Sequence, residues 1–236
     1  MQNPTNIRLV VFDMAGTTVE DKDSVQKALQ SALSKADVTV DLQETMEVMG
    51  YPKPEAIRIL LKRKMKDVSE ATAELIDRIH QFFVNDMIEY YRTAPEVKEK
   101  TGVSQTFRIL KENNITVALD TGFSRPIADA IINRLGWAGK IDLSVTSDEV
   151  ENGRPYPDMI YKAMKLSGIT DTSAVAKVGD TASDLQQGNK AGCRYVIGVT
   201  TGNFSREELQ AFKHTHLIDQ LPEVLEILGI ATEQPA

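Results

Sequence analysis

The chain has 236 residues, of which 42% are hydrophobic, so it can form one large domain or a core domain with a smaller companion. Its formal net charge of −7 argues against nucleic-acid and acidic-membrane surfaces, because such binding depends on neutralising phosphates with Lys and Arg. No apolar stretch approaches the roughly 20 residues that span a bilayer, and the N-terminus has no signal pattern. We therefore expect a cytoplasmic protein that binds neither nucleic acid nor membranes.

The first predicted element is a strand over residues 7–12, in which five of the six side chains are apolar. Such a run is typical of a parallel strand that is buried on both faces. Asp13 follows the run, and Ala15 and Gly16 allow the chain to turn sharply. Because ligands of open α/β sheets bind at the carboxyl ends of the strands, Asp13 is a candidate site residue. The alternative is a solvated acid at an ordinary turn.

Helical periodicity follows, with no strand-like stretch until residue 115. The predicted helices cover residues 24–35, 42–49, 55–64 and about 69–91. In the last of these, apolar side chains recur every three or four residues, as on one buried helix face. The block is too long and too regular for a loop. We therefore predict an all-α domain over residues 19–95, inserted into a core domain formed by residues 1–18 and 96–236.

From residue 96 onward, predicted helices and strands alternate. One predicted helix ends at residue 111, and four others cover residues 126–135, 158–166, 184–191 and 222–228. The tail 231–236 is expected to fray. The strands cover residues 115–119, 143–145, 175–178 and 195–199. Alternation of this kind indicates a parallel sheet with right-handed crossovers and helices on both faces. The predicted fold class is therefore α/β.

Two later strands also end in polar groups. Thr121 and Gly122 follow the strand at 115–119, where a hydroxyl and free amide groups could hold a phosphate. Asp180 and Asp184 follow the strand at 175–178, four residues apart at a strand-to-helix turn. Taken singly, the first pair reads as a helix entry and the second as helix caps. These ordinary interpretations become less convincing when the same sheet edge repeats the pattern.

A loop between these two strand ends contains Arg154, in the sequence GRPYPD. Alone it reads as a surface residue, but at the sheet edge it would present one fixed cation. The four segments together supply a carboxylate nucleophile, a hydroxyl, a cation and oxygen ligands for a hard metal such as Mg²⁺. The sequence therefore predicts a phosphoryl-transfer site.

The ordered set DMAGT, DTGFSR, GRPYPD and GDTASD resembles the motifs of the haloacid dehalogenase superfamily. The resemblance implies a Rossmann-like parallel core with a helical cap inserted after the first motif. It implies that Asp13 is the nucleophile that becomes an aspartyl-phosphate. It also implies that Thr121 with Gly122, and Arg154 from the third motif, bind the phosphoryl group.

The same resemblance implies a Mg²⁺ site. The ligands would be Asp13, the backbone carbonyl of Ala15 and Asp180. Asp184, the second acid of its motif, would support the metal or its bound waters from behind.

Ala15 departs from the usual pattern of the superfamily's phosphatases. They place a second Asp two residues after the nucleophile, where it protonates the leaving alkoxide and later activates water. A methyl group cannot donate a proton, so ordinary phosphomonoester hydrolysis should be slow. Either the leaving group is activated differently or the enzyme is impaired.

The sequence DMAGTT, with Arg154 rather than Lys in the third motif, resembles the phosphonatase (phosphonoacetaldehyde hydrolase) family. That family's cap motif, Met-Gly-x-x-Lys, reads here as Met49, Gly50, two further residues and Lys53. The resemblance implies that Lys53 forms a Schiff base with a substrate aldehyde, so that an enamine leaves phosphorus and no acid is needed at Ala15. Met49 and Gly50 would line the cap side of the site. Burial of Lys53 should lower its pKa.

Lys22, Ala56 and Phe123 correspond to a Cys, a His and a Tyr of phosphonatases, so the implied substrate is phosphonoacetaldehyde or a related 2-oxoalkyl phosphonate. Two other hypotheses stay open. One is a phosphatase or phosphotransferase for an activated phosphate ester, with Lys53 only binding substrate. The other is a non-catalytic phospho-ligand-binding protein, although such a protein would not need Asp13 as a nucleophile. The resemblance also implies a homodimer formed through the caps.

Overall fold

The computed structural model of the protein describes residues 6–65 and 72–230. Within these residues, one parallel sheet has the strand order β3-β2-β1-β4-β5-β6. The strands are β1 (Leu9–Asp13), β2 (Thr116–Thr121), β3 (Leu143–Thr146), β4 (Val175–Gly179), β5 (Tyr195–Val199) and β6 (His216–Ile218). The predicted α/β class with a parallel sheet is confirmed.

Ten α-helices accompany the sheet in the described part of the chain. They are α1 (Ser24–Ser34), α2 (Leu42–Met46), α3 (Lys53–Lys64), α4 (Ala73–Thr93), α5 (Val103–Glu112), α6 (Arg125–Arg134), α7 (Asp158–Leu166), α8 (Ala182–Ala191), α9 (Arg206–Gln210) and α10 (Glu223–Ile227). The start predicted near residue 69 and the tail at 231–236 lie outside the described residues.

Helices cover both faces of the sheet because the side chains of β1 alternate between two apolar cores. Phe12 belongs to the core that includes Phe107 of α5, with ring centroids 5.4 Å apart. Val11 belongs to the other core, together with Met159 of α7. Every residue of β1 is buried, as the apolar run predicts.

Between β1 and β2 the described residues form helices α1 to α5 and no strand of the sheet. Helices α1 to α4 make up the helical insertion, whereas α5 packs against β2. Helix α4 packs against α1 and α3 and also against α6, which follows β2. The two chain connections to this helical insertion run side by side. Glu20 N donates to Lys98 O at 3.0 Å, and Lys100 N donates to Thr18 O at 2.9 Å. These contacts lie beside the predicted boundaries, and the division into core and cap domains stays a prediction.

Several element boundaries differ from the prediction. Asp13 is the last residue of β1, because its backbone still pairs with Asp120 of β2. Helix α3 begins at Lys53 rather than at residue 55, since prolines are tolerated in a first turn that needs no intrahelical N–H. Lys53 is therefore fixed on a helix rather than in a loop.

Two further differences concern short elements. The predicted helix 42–49 ends at Met46, after which Val48 N donates to Thr45 O in a tighter turn and Gly50 takes a positive φ of 81°. Helix α9 was not predicted; it has five residues and is defined mainly by a capping box between Ser205 and Glu208. Neither feature leaves an apolar periodicity that a sequence pattern could reveal.

The strand order determines where the ligand-binding crevice of the sheet lies. From β1 the chain moves outward through β2 and β3 on one side, and through β4, β5 and β6 on the other. The switch in direction lies between β1 and β4, and the carboxyl edge there is where open α/β sheets bind ligands. This edge carries Asp13, Thr121 and Asp180, each at or just after the end of its strand.

Candidate active site

A cavity of about 20 Å³ lies between the carboxyl edge of the sheet and the helical insertion. Eight of the ten residues singled out in the sequence line it, namely Asp13, Ala15, Met49, Gly50, Lys53, Thr121, Gly122 and Arg154. The other two, Asp180 and Asp184, are fully buried. A volume of this size holds about one water molecule. The cavity must therefore widen before an organic substrate can bind in it.

Arg154 is the centre of a buried ion-pair network, and its side chain is only 1% exposed. Its Nη2 lies 2.6 Å from Asp13 Oδ1 and 3.1 Å from Asp120 Oδ1. Its Nη1 lies 2.9 Å from Asp184 Oδ1. The guanidinium thus joins the ends of β1 and β2 to the first turn of α8. It is the cation that the sequence predicted, and it contacts the candidate nucleophile directly.

Lys177, a residue that sequence reasoning missed, completes this network. It lies in the middle of β4, is fully buried, and contacts Asp120 and, at 3.0 Å, Asp184 Oδ1. Asp120 opens the DTGFSR motif, for which the sequence predicts a role only at Thr121 and Gly122. The signal for both was present, because a lysine inside a buried apolar strand needs a buried carboxylate as its partner.

The network shifts the pKa values of its carboxyl groups in opposite directions. Burial alone would raise the pKa of Asp184, but Arg154 and Lys177 outweigh it and lower that pKa. Burial raises the pKa of Asp13 to about 8; Arg154 opposes this shift, while the nearby charges of Asp184 and Asp180 add to it. An additional cation near Asp13 would therefore favour its ionised form.

The oxygen atoms around Asp180 fit a hard divalent cation. Thr17 Oγ1 donates to Asp180 Oδ1 at 2.9 Å, and Asn203 donates twice to Oδ2, from its backbone N at 2.6 Å and from Nδ2 at 2.7 Å. Because a carboxylate has about four acceptor positions, these bonds leave one free on Oδ1. None of the described residues donates a hydrogen bond to the carbonyl of Ala15. Burial and the charge of Asp184 raise the pKa of Asp180. A bound cation would lower this pKa again.

A second group of acids, Asp13, Asp120 and Asp184, also has oxygen atoms within 4.8 Å of one another. Arg154 and Lys177 already neutralise much of its charge, so it resembles a salt-bridge network more than a metal site. Mg²⁺ prefers a few oxygen ligands together with water. Asp13, Asp180 and the Ala15 carbonyl stay the predicted ligand set, with fewer charges already paired around Asp180.

Lys53 brings an amine from the helical insertion to the same cavity. It is 3% exposed, and its Nζ lies 5.8 Å from the ring centroid of Phe83 and 5.7 Å from that of Phe123. Burial, together with the charge of Arg154, lowers the pKa of Lys53 to about 8, although Asp13 partly opposes the shift. An amine with this pKa is partly unprotonated near neutral pH and can act as a nucleophile.

The segment that precedes Lys53 sits directly on the loops of the sheet. A Cβ atom at Gly50 would lie 2.1 Å from Ser183 Oγ, and one at Gly122 would lie 2.9 Å from the carbonyl oxygen of Tyr51. Only hydrogen atoms fit at these two positions. The two glycines therefore permit the close contact that sets the position of Lys53 above Asp13.

Thr121 lies at the end of β2 and is 3% exposed. Its Oγ1 accepts a hydrogen bond from Phe123 N at 3.1 Å, so its own proton is free to point into the cavity. This arrangement would let the hydroxyl donate to a phosphoryl oxygen. The structure thus brings Thr121, Asp13 and Arg154 to one cavity.

Fold and site together define a Rossmann-like α/β protein with a buried carboxylate, Asp13, at the end of its first strand. A family model described as haloacid dehalogenase-like hydrolase matches residues 10–199. The chain belongs to this family of hydrolases.

Known proteins resemble the chain over most of its length. A phosphonoacetaldehyde hydrolase from Latilactobacillus sakei subsp. sakei (strain 23K) is 31% identical over 233 residues, which cover 93% of this chain and 83% of that protein. The crystal structure of a phosphonoacetaldehyde hydrolase like protein from Oleispira antarctica has a TM-score of 0.79 at 20% identity and covers 97% of this chain and 94% of that one. That of a predicted phosphoglycolate phosphatase from Haemophilus somnus 129PT has a TM-score of 0.79 at 19% identity, with coverages of 95% and 99%.

The two structural comparisons bear on the fold alone, because proteins named for different activities match equally well. In the described residues, no helix is long and apolar enough to cross a membrane.

Proposed function

We propose that the protein is a Mg²⁺-dependent hydrolase that cleaves the carbon–phosphorus bond of phosphonoacetaldehyde or a related 2-oxoalkyl phosphonate. One observation carries the proposal. The amine of Lys53 and the carboxyl group of Asp13 line the same narrow cavity, and Ala15 stands there in place of a general acid. The curated relatives named as phosphonoacetaldehyde hydrolases support it.

Lys53 would activate the substrate. Its unprotonated amine adds to the carbonyl carbon, and loss of water gives an iminium ion. The positive nitrogen withdraws electrons from the carbon–phosphorus bond two atoms away. Phe83 and Phe123 present aromatic rings to Nζ, and such rings stabilise a cation in a site that excludes water.

Asp13 would take the phosphoryl group. Its carboxylate attacks phosphorus while the carbon–phosphorus bond breaks, and the electron pair of that bond moves into the iminium to give an enamine. Thr121 and Arg154 bind the phosphoryl oxygens. Because the leaving group is an enamine, it needs no proton from position 15, which explains how the site can work with Ala15.

The cycle closes with two additions of water. The enamine carbon takes a proton, and water adds to the resulting iminium, so that the carbonyl product leaves and Lys53 is free again. A second water cleaves the aspartyl-phosphate, releasing inorganic phosphate and restoring Asp13.

Asp13, Asp180 and the carbonyl of Ala15 would hold Mg²⁺. Bound there, the ion would offset the negative charges of the carboxylate and the phosphoryl group. Asp184 acts through Arg154 and Lys177, which it contacts directly.

The helical insertion would be the cap over this site, with residues 19–95 as the cap domain and residues 1–18 and 96–236 as the core. Its two connections lie side by side at Thr18 to Glu20 and Lys98 to Lys100, as a hinge requires. Closure brings Lys53 to Asp13 and excludes bulk water.

The direct test is phosphate release from phosphonoacetaldehyde, measured beside release from an activated aryl phosphate, each with and without Mg²⁺. We expect metal-dependent turnover of the phosphonate. Turnover of the aryl phosphate alone would contradict carbon–phosphorus cleavage.

That outcome would support the second candidate, a phosphatase or phosphotransferase for an activated phosphate ester. Asp13, Thr121 and Arg154 suffice for phosphoryl transfer without Lys53. A good leaving group departs without a proton, so Ala15 is compatible with this activity as well. Lys53 would then bind the substrate as a cation.

A further inference from the structure

Gln26 connects the helical insertion to the candidate metal site. It lies in α1 and is 1% exposed. Its Nε2 donates to Asn203 Oδ1 at 2.9 Å and to Met46 Sδ at 3.0 Å. Asn203 lies in the loop after β5 and is one of the residues that line the cavity. The side chain therefore crosses the cleft between the insertion and the sheet.

Asn203 in turn holds the carboxylate of Asp180. Its backbone N and its Nδ2 both donate to Oδ2, at 2.6 Å and 2.7 Å. A side-chain amide can donate only from nitrogen, so Asn203 must keep its oxygen toward Gln26 while its nitrogen faces Asp180. The donor on Gln26 thus selects the amide orientation that clamps Asp180.

We infer that Gln26 is a positioning residue that couples closure of the helical insertion to metal binding at Asp180. With the insertion closed, Gln26 fixes Asn203, and Asn203 fixes Oδ2 so that the free position on Oδ1 stays directed to a cation. The inference rests on the metal site of the proposed function and adds a residue that none of the sequence motifs contains.

The coupling is reciprocal, because any change in metal affinity caused by closure implies an equal effect of the metal on closure. Bound Mg²⁺ orders Asp180 and Asn203, which gives Gln26 a fixed acceptor. The ion should therefore stabilise the closed position of α1, even without substrate.

The first test measures Mg²⁺ binding to the purified full chain by titration calorimetry. Gln26→Met keeps the length and apolar stem of the side chain but removes the donor. We expect its Mg²⁺ affinity to fall about tenfold, as is typical when a group that orients a metal ligand is lost. Gln30→Met is the matched control, because Gln30 lies one turn along α1 and its Nε2 donates to Val40 O, inside the insertion, at 2.8 Å. The control should bind Mg²⁺ like the wild type.

A double-mutant cycle asks whether Gln26 acts through Asn203. In an Asn203→Ala background, adding Gln26→Met should change Mg²⁺ affinity by less than about twofold, because the connecting amide is already absent. An undiminished tenfold loss in that background would overturn the inference.

Hydrogen exchange provides a measurement that would not depend on Mg²⁺ in this way if Gln26 had only a structural role. Mg²⁺ should slow amide exchange in residues 20–34 of the wild type and of Gln30→Met, but not of Gln26→Met. Equal protection in all three proteins, or unchanged Mg²⁺ affinity in a folded Gln26→Met variant, would overturn the coupling while leaving the proposed function intact. A wild type that binds no Mg²⁺ would overturn both.

Discussion

Arg154 and Lys177 contact the same atom, Asp184 Oδ1, at 2.9 Å and 3.0 Å. Both cations also contact Asp120, so two positive charges are shared by two carboxylates behind the cavity. Only Arg154 reaches farther, to Asp13. Lys177 therefore balances the buried acids, and this balance leaves Arg154 free to serve the reacting groups.

Lys177→Met should destabilise the protein, because it removes one cation from a fully buried network and leaves a carboxylate without compensation. Breaking a buried pair in this way costs about 3–5 kcal/mol. Equilibrium unfolding in urea would measure the loss. A change below about 1 kcal/mol would mean that Lys177 carries little of the charge balance.

Lys53→Arg should abolish cleavage of the phosphonate, since a guanidinium stays charged and cannot form an imine. Borohydride added during turnover should reduce the iminium of the wild type to a stable secondary amine, which mass spectrometry would locate on Lys53. The variant should keep its Mg²⁺ affinity. Full activity in the variant would contradict the Schiff-base step.

Lys53→Met should stabilise the protein at neutral pH. The folded chain holds Lys53 at a pKa of about 8, below its ordinary value of 10.5, so between these values the unfolded state binds more protons. The free energy of unfolding therefore rises with pH across that window. Below about pH 8 the buried lysine destabilises the folded state by the full amount. The gain on substitution should be on the order of 3 kcal/mol at pH 7 and should vanish above pH 10.5. Thermal unfolding at several pH values would test both parts.

Ala15→Asp should add phosphatase activity. The new carboxyl group would stand two residues after the nucleophile, in the lining of the cavity, where it can protonate an alkoxide. General acid catalysis contributes about 10²–10⁴-fold, so turnover of alkyl phosphates should rise at least tenfold. Kinetics with alkyl and aryl phosphates should show that the turnover rate of the variant depends less on the leaving group than that of the wild type. Unchanged rates for both classes would contradict this role for position 15.

Gly50→Ala should impair turnover more than tenfold, because the new Cβ would overlap Ser183 Oγ and displace the segment that positions Lys53. Gly136→Ala is the matched control. Gly136 also has a positive φ, of 63°, but a Cβ there would meet open space. Both variants carry backbone strain, and only the first should lose activity. Steady-state kinetics would decide, and equal losses would assign the effect to strain alone.

The sequence predicted the sheet and most of the residues that line the cavity, because buried parallel strands and the polar groups at their ends leave short, continuous signals. Asp13, Thr121 and Asp180 could be placed at one edge for this reason. The pairing of Lys177 with Asp120 and Asp184 depends on neighbouring strands, so its distances could not be read from spacing. Gln26 carries no motif at all, and only the packed arrangement places it beside Asn203.

The cavity of about 20 Å³ sets a kinetic limit. A site with so little free volume can hold neither a phosphonate nor inorganic phosphate without widening. Every catalytic cycle therefore includes at least one passage through an open form, and the opening frequency is a ceiling on turnover, however fast the bond-breaking steps are. Solvent viscosity should slow an enzyme that works near this ceiling and leave a chemically limited one unaffected.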